Sequence, residues 1–186
     1  GTNPIEVNSK NVMPIEIAFS SKQFKMIEFI LTLPSILNAS SLIKNRAITS
    51  CAIGSSKDIK GLETMIKCGF PINSIHRCGY PLIHCAALSD NADAIHLVLN
   101  SGADIFATST SKTLKMTVLH LCALENKPNS LRTCLEWASF CLLQDDYWKW
   151  IDAKNDEYCT ALHLAAKSNN DACVSILLAF GANPNC

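Results

Sequence analysis

The sequence predicts an all-α solenoid of repeated helical units, and three observations carry that expectation. A string made of an aliphatic residue, His, one further residue and two small residues occurs at Ile83-His84-Cys85-Ala86-Ala87, Leu119-His120-Leu121-Cys122-Ala123 and Leu162-His163-Leu164-Ala165-Ala166. A second apolar stretch follows the first string at Ile95-His96-Leu97-Val98-Leu99 and the third at Val174-Ser175-Ile176-Leu177-Leu178. Both then reach a glycine tripeptide, Gly102-Ala103-Asp104 and Gly181-Ala182-Asn183. Recurrence on this scale marks units that bury their apolar faces against neighbouring units.

Composition narrows the function classes. The 186 residues are 48% hydrophobic and 17% charged, which excludes a wholly disordered chain. Sixteen basic residues balance sixteen acidic ones. No general field therefore draws in polyanions, and nucleic acid is not an expected partner. No apolar run approaches the roughly 20 residues that span a bilayer, so membrane insertion is not expected either. The ten cysteines invite a disulfide or metal reading. The chain far exceeds small bridge-dependent scaffolds and has aliphatic residues enough for a core, so a reducing intracellular compartment, cytoplasmic or nuclear, is expected. The first residue is Gly1 rather than Met, which suggests a piece of a longer protein.

The stretch from Thr160-Ala161-Leu162-His163-Leu164-Ala165-Ala166 to Gly181-Ala182-Asn183-Pro184-Asn185 resembles the ankyrin repeat, a unit of about 33 residues with a Thr-Pro-Leu-His-x-Ala signature. Weaker copies run from Ile48-Thr49-Ser50-Cys51-Ala52 to Gly69-Phe70-Pro71-Ile72-Asn73, and from Met13-Pro14-Ile15-Glu16-Ile17-Ala18 to Leu37-Asn38-Ala39. The signature histidine corresponds to Glu16, Thr49, His84, His120 and His163, in steps of 33, 35, 36 and 43 residues. The chain thus reads as one domain, 1–186, with approximate repeats 10–42, 43–77, 78–113, 114–156 and 157–186. Gly1-Thr2-Asn3-Pro4 parallels Gly181-Ala182-Asn183-Pro184. Neither end is an obviously polar cap, so further repeats or domains are expected. The resemblance implies stacked helix-turn-helix units joined by short β-hairpin loops.

In the first unit, Met13-Pro14 keeps a proline at a helix start, where its fixed φ suits the first turn. The spacing Phe19, Phe24, Ile27, Ile30, Leu31 predicts two packed helices, and Leu33-Pro34 replaces the helix-ending glycine region. Met13 and Arg46 stand where a capping threonine is expected, so capping should be weaker in the first two units. Gly69 and Gly102 close the second and third units. The loop from Ala107 to Met116 runs three residues long, predicting an extended hairpin tip.

The fourth unit exceeds the period by ten. Its apolar pattern Leu131, Cys134, Leu135, Ala138, Cys141, Leu142 predicts one long helix, ended near Asp145-Asp146. Trp150-Ile151-Asp152-Ala153-Lys154 reads as the usual approach to a hairpin, placing the insertion near 136–149. Trp137, Trp148 and Trp150 cluster there with Phe140 and Tyr147. Trp137 and Phe140 are expected to fold back over the neighbouring units. For Tyr147 and Trp148 a core role and a partner anchor both stay open. In the last unit Thr160 caps the first helix, the second runs Asp171–Phe180, and Gly181 supplies the positive φ that ends it.

Chemistry-bearing residues fit the scaffold first. The resemblance gives His84, His120 and His163 a structural role, bonding backbone between units. Cys51, Cys85, Cys122, Cys134 and Cys173 fall where small buried hydrophobes are expected, leaving Cys68, Cys78, Cys159 and Cys186 as accessible thiols and Cys141 on the long helix. There is no Cys-x-x-Cys and no glycine-rich phosphate loop, so neither metal nor cofactor is expected. Nor does the sequence supply an oxyanion loop for a Cys–His nucleophile.

The family resemblance implies a non-catalytic module that binds a protein or peptide on its concave hairpin and first-helix face, as the recognition arm of a larger intracellular scaffold, adaptor, ligase subunit or effector. Carried over by position, the candidate contact residues are Lys44, Asn45, Tyr80, Lys115, Met116 and Tyr158 at the tips. Lys22, Gln23, Asp90, Asn91, Asn126, Lys127, Asn169 and Asn170 join them at first-helix ends, and Tyr147 and Trp148 in the insertion. The alternative is a platform that packs against a catalytic domain elsewhere in the same protein.

Overall fold

The computed structural model describes residues 5–21, 23–54, 59–110 and 114–186. Residues 1–4, Lys22, 55–58 and 111–113 lie outside the described residues, as do the side chains of Phe19 and Phe24.

Among the described residues there are twelve helices and no strand. The first unit contributes α1 (Pro14–Ser20), α2 (Phe24–Thr32) and the single turn α3 (Pro34–Leu37). The second contributes α4 (Ser41–Gly54) and α5 (Lys60–Lys67), and the third α6 (Leu82–Leu88) and α7 (Ala92–Asn100). The fourth contributes α8 (Val118–Leu124), α9 (Pro128–Cys141) and α10 (Gln144–Ile151), and the last α11 (Ala161–Lys167) and α12 (Asp171–Ala179). Helices α1, α4, α6, α8 and α11 pack in succession as one layer. The second layer pairs α2 with α5, α7 with α9, and α9 with α12.

Small side chains set the spacing between units. Ala86, Ala87, Cys122, Ala123 and Ala165 are wholly buried, and a larger residue at any of them would overpack the seam. Ile48, Leu82, Ile83, Ile95, Leu119, Leu131 and Leu177 fill the space around them in one continuous core. Each such aliphatic side chain contributes about 1.5–3 kcal/mol through burial.

Turns between paired helices require the left-handed region. Asp90, Asn126 and Asn169 hold it at φ 52, 51 and 58°, a conformation that Asp and Asn tolerate better than most residues. Gly69, Gly102 and Gly181 end the second helices of their units at φ 75, 92 and 90°.

Two expectations need correction. Helix α4 already begins at Ser41, so Lys44 and Asn45 are helical and no loop tip exists there. Leu33-Pro34 ends α2 as expected, with Leu33 extended and Pro34 opening α3, a first helical position that suits proline. The insertion is not a prolongation of α9. That helix stops at Cys141, and residues up to Ile151 form the separate α10, so Trp150 and Ile151 are helical. Acidic Asp145 and Asp146 in its first turn and Lys149 in its last complement the helix dipole.

Candidate functional site

The seams between units hold the surface in place. His120 donates Nε2–H to the Cys159 carbonyl at 3.0 Å, so its Nδ1 is an acceptor and takes the Thr117 amide (3.2 Å) and hydroxyl (2.8 Å). One imidazole therefore closes the start of α8 and bridges to the next unit. His84 makes the same bridge to the Met116 carbonyl (2.8 Å). Its Nδ1 has no partner, because Pro81 precedes α6 and has neither N–H nor hydroxyl to offer. Burial pushes the His84 imidazole down to about 4 and lowers His120 as well. His163 accepts from Thr160 at its Nδ1 (2.8 Å) but is exposed.

Three loops project between units. The first turns at Gly79 (φ 85°) and is closed by the Ile75–Pro81 bridge and by the His76 amide on the Tyr80 carbonyl (2.7 Å). The second, within 107–117, donates the Thr110 amide to the Gly79 carbonyl (2.8 Å). The third is a tight turn in which Asn155 Oδ1 accepts the Glu157 and Cys159 amides and Tyr158 takes φ 58°. Its Asp156 Oδ2 accepts the Lys115 amide (3.3 Å). Two further bonds lie below, from the Asp104 amide to Asn73 Oδ1 (3.1 Å) and from the Asn183 amide to Asp152 Oδ1 (2.9 Å). Adjacent loops are thus joined edge to edge.

The extra helix packs beneath the second loop. Trp150, buried, donates its indole N–H to the Ile105 carbonyl (3.2 Å). Tyr147, also buried, donates its hydroxyl to the Phe180 carbonyl (3.0 Å). Trp148 meets the Tyr147 ring edge-on (5.2 Å between centroids) and stays 42% exposed. Between α10 and the loops on either side runs a cleft whose lining includes Phe106, Lys115, Asp146, Lys149, Lys154 and Asp156, with Trp150 among them.

The predicted contact residues scatter over several environments. Tyr158 is 82% exposed, Lys115 is exposed, and Tyr80 is half-buried with its ring stacked on His84 (6.0 Å). Met116 is a correction: it is buried, because its backbone carbonyl is the His84 acceptor and its amide bonds Ser109 Oγ (3.0 Å), which turns the side chain into the seam. Of the two roles left open for Tyr147, its burial fits the core one. Lys44 reaches over the Phe70 ring (5.9 Å), and Asn45 accepts from Ser74 Oγ (3.1 Å).

The first-helix ends carry backbone duties. Asp90 accepts the Ser130 amide and the Asn129 side-chain amide, both at 3.0 Å, at the start of α9. Asn91 caps α7 through the Asp93 amide (2.9 Å), and Asn170 covers the Ala123 carbonyl (2.7 Å) at the end of α8. Asn126 and Asn169 are exposed, and half-buried Lys127 is the residue before α9. Gln23 is exposed before α2. Phe140 overturns the expectation of a fold-back, since it is 88% exposed beside Leu143 at 77%. Trp137 is half-buried, its indole near Asn100 Oδ1 (3.4 Å). Helix geometry explains Phe140: it follows buried Ala138 by two residues, about 200° around α9, on the side away from the buried face of Leu131, Cys134 and Leu135.

Cys51, Cys85, Cys122, Cys134 and Cys173 are buried, whereas Cys68, Cys78, Cys141 and Cys186 are exposed and Cys159 is intermediate. Burial pushes the Cys134 thiol up to about 12 and Cys122 well above its ordinary value, so these are inert small hydrophobes. Among the described residues no three His, Cys, Asp or Glu side chains are grouped to hold a metal ion, and no helix is long and apolar enough to cross a membrane. The ankyrin-repeat family model matches residues 157–186. The stacked helix pairs before it fit the same helical-repeat pattern.

Proposed function

We propose that this ankyrin-repeat stack is a non-catalytic protein-interaction module, binding a protein or peptide along the edge formed by its projecting loops and first helices. Ankyrin repeats are in general protein-interaction modules, and residues 157–186 carry that repeat. The observation that supports the reading here is the joining of successive loops, Thr110 to Gly79 and Lys115 to Asp156. It makes three separate tips into one preorganised edge that keeps Tyr158 in solvent at 82% exposure. An exposed tyrosine on a fixed turn loses little freedom on binding, which suits an interface anchor. The non-catalytic reading is supported by His84 and His120, whose imidazoles are buried and engaged with backbone. By the same reading the chain serves as the recognition arm of a larger scaffold or adaptor.

The test is retention of a partner by the purified chain, compared with the Tyr80→Ala, Lys115→Ala, Tyr158→Ala triple variant. Loss of the specifically retained protein at unchanged thermal stability supports the loop edge. Undiminished retention rejects it.

A further inference from the structure

We propose that the cleft between α10 and its flanking loops binds an acidic segment of the partner, with carboxylates on Lys115, Lys149 and Lys154 and an apolar residue against Phe106. The assignment rests on the protein-interaction reading and deepens it by giving the partner's chemistry.

The three ammonium groups come from three different places: Lys115 from the second loop, Lys149 from the inserted helix and Lys154 from the approach to the third loop. Nothing in the repeat itself requires them to meet. The cleft exists because the longer fourth unit adds the eight-residue α10, and because the Trp150 indole holds that helix to the Ile105 carbonyl. All three lysines are exposed. The ion pairs among the described residues are Arg46–Glu16 and Lys67–Glu63, so none of the three is neutralised by a carboxylate at contact distance.

Two acidic residues also line the cleft, and both are partly committed. Asp156 Oδ2 accepts the Lys115 amide. Asp146 sits in the first turn of α10, where free N–H groups offset its charge. Three cations against two carboxylates, one of them already accepting a backbone amide, leave the cleft one charge to the positive in a chain that is neutral as a whole. Phe106 adds an aromatic ring 47% in solvent beside the buried face of Trp150. Cations around an apolar surface complement a segment in which acidic and apolar side chains alternate.

The experiment follows amide and indole resonances of the 15N-labelled chain during titration with a short peptide alternating acidic pairs with Leu-Phe pairs. Its Gln-substituted counterpart, a Lys-substituted counterpart and inorganic phosphate alone serve as comparisons. Shifts centred on Lys115, Lys149, Trp150 and Lys154 are expected, with affinity falling about tenfold on Gln substitution, in the Lys149→Glu, Lys154→Glu variant, and between low and moderate salt. Equal affinity for the Gln or Lys peptide overturns the proposal. So do equivalent shifts from phosphate alone, or an unaltered affinity in the charge-reversed variant that retains the Trp150 indole resonance of the folded state. If the acidic peptide fails while the Tyr80→Ala, Lys115→Ala, Tyr158→Ala variant loses its partner, the cleft assignment falls and the loop-edge reading stands. If neither responds, both fall.

Discussion

Glu16 Oε2 lies 2.7 Å from Arg46 Nη2, an ion pair with both side chains mostly buried that joins α1 to α4. The same carboxylate accepts the Met13 amide (2.7 Å) and the Ser50 hydroxyl (3.0 Å). Arg46 adds Nε to Glu16 Oε1 (3.0 Å) and Nη2 to the Asn11 carbonyl. Glu16 therefore closes a helix start and bridges to the next unit, the two tasks that His120 performs between α8 and its neighbour. Burial alone would raise the Glu16 carboxyl, but bonds from Arg46, Met13 and Ser50 outweigh it and hold the group below its ordinary value.

A double-mutant cycle on this pair should give a coupling of about 1–3 kcal/mol, above that of an exposed pair and below that of a fully buried one. Glu16→Gln keeps the amide contact and should cost less than Glu16→Ala. Urea unfolding of the four chains measures it. Additive single and double losses would show that the bridge contributes nothing as a pair.

Pro81→Thr should stabilise the chain by about 1 kcal/mol, because it supplies the amide and hydroxyl that His84 Nδ1 lacks. The geometry to copy is Thr117 against His120. The backbone already allows it, since Pro81 sits at φ −57° and ψ 158°, while the loss of proline's rigidity costs a few tenths in the opposite direction. A lowered unfolding midpoint, with His84 still resistant to protonation, would count against the orphaned nitrogen as the weak point of this seam.

These residues show how far the sequence could be read and where it stopped. The recurrence of histidine, small residues and glycine is local chemistry repeated in phase, so the stack, the positive-φ glycines and the five buried cysteines were legible. Glu16 looked like a lost histidine because its function depends on Arg46, thirty positions away and visible only once α1 and α4 are stacked. Lys44, Asn45 and Met116 were misplaced for a related reason: position within an average repeat says little about a unit whose first helix starts early or a loop that turns a methionine inward. Helix α10 left a legible trace, acidic residues first and a lysine last, but its periodicity merges with that of α9. No sequence pattern brings Lys115, Lys149 and Lys154 together, because their meeting requires the insertion to fold back toward the loop that opens its own unit.

Acid should destabilise the fold well before the carboxylates titrate. His84 is held down to about 4 in the folded chain and returns to about 6.5 when unfolded. Between those values the unfolded chain binds a proton that the folded chain refuses, so stability falls as pH falls through that window. The loss from His84 is about 2–3 kcal/mol by pH 4.5. His120, also lowered, adds in the same direction. Glu16, lowered from 4.5, contributes stability above that value and loses it below. Urea midpoints at pH 7.5 and 4.5 should differ accordingly, and His84→Asn should be weaker at neutral pH with a shallower acid slope. Equal stability at the two pH values would contradict the buried neutral imidazole.

Gly102 and Gly181 separate backbone strain from steric contact. Both end a second helix in the left-handed region, at φ 92 and 90°, so alanine at either should cost about 1 kcal/mol through conformation alone. A Cβ at Gly102 meets nothing within 4 Å, whereas one at Gly181 would come within 2.7 Å of Trp148 Cζ3 and 2.8 Å of Cη2. Trp148 packs edge-on to Tyr147, whose hydroxyl bonds the Phe180 carbonyl, so the ring yields at the expense of that contact. Gly181→Ala should therefore cost about 1–3 kcal/mol more than Gly102→Ala. In a Trp148→Ala background that surplus should vanish while the conformational cost remains. An equal penalty for the two glycines in the wild-type background would show that Trp148 swings freely and that α10 is not fixed against the last repeat.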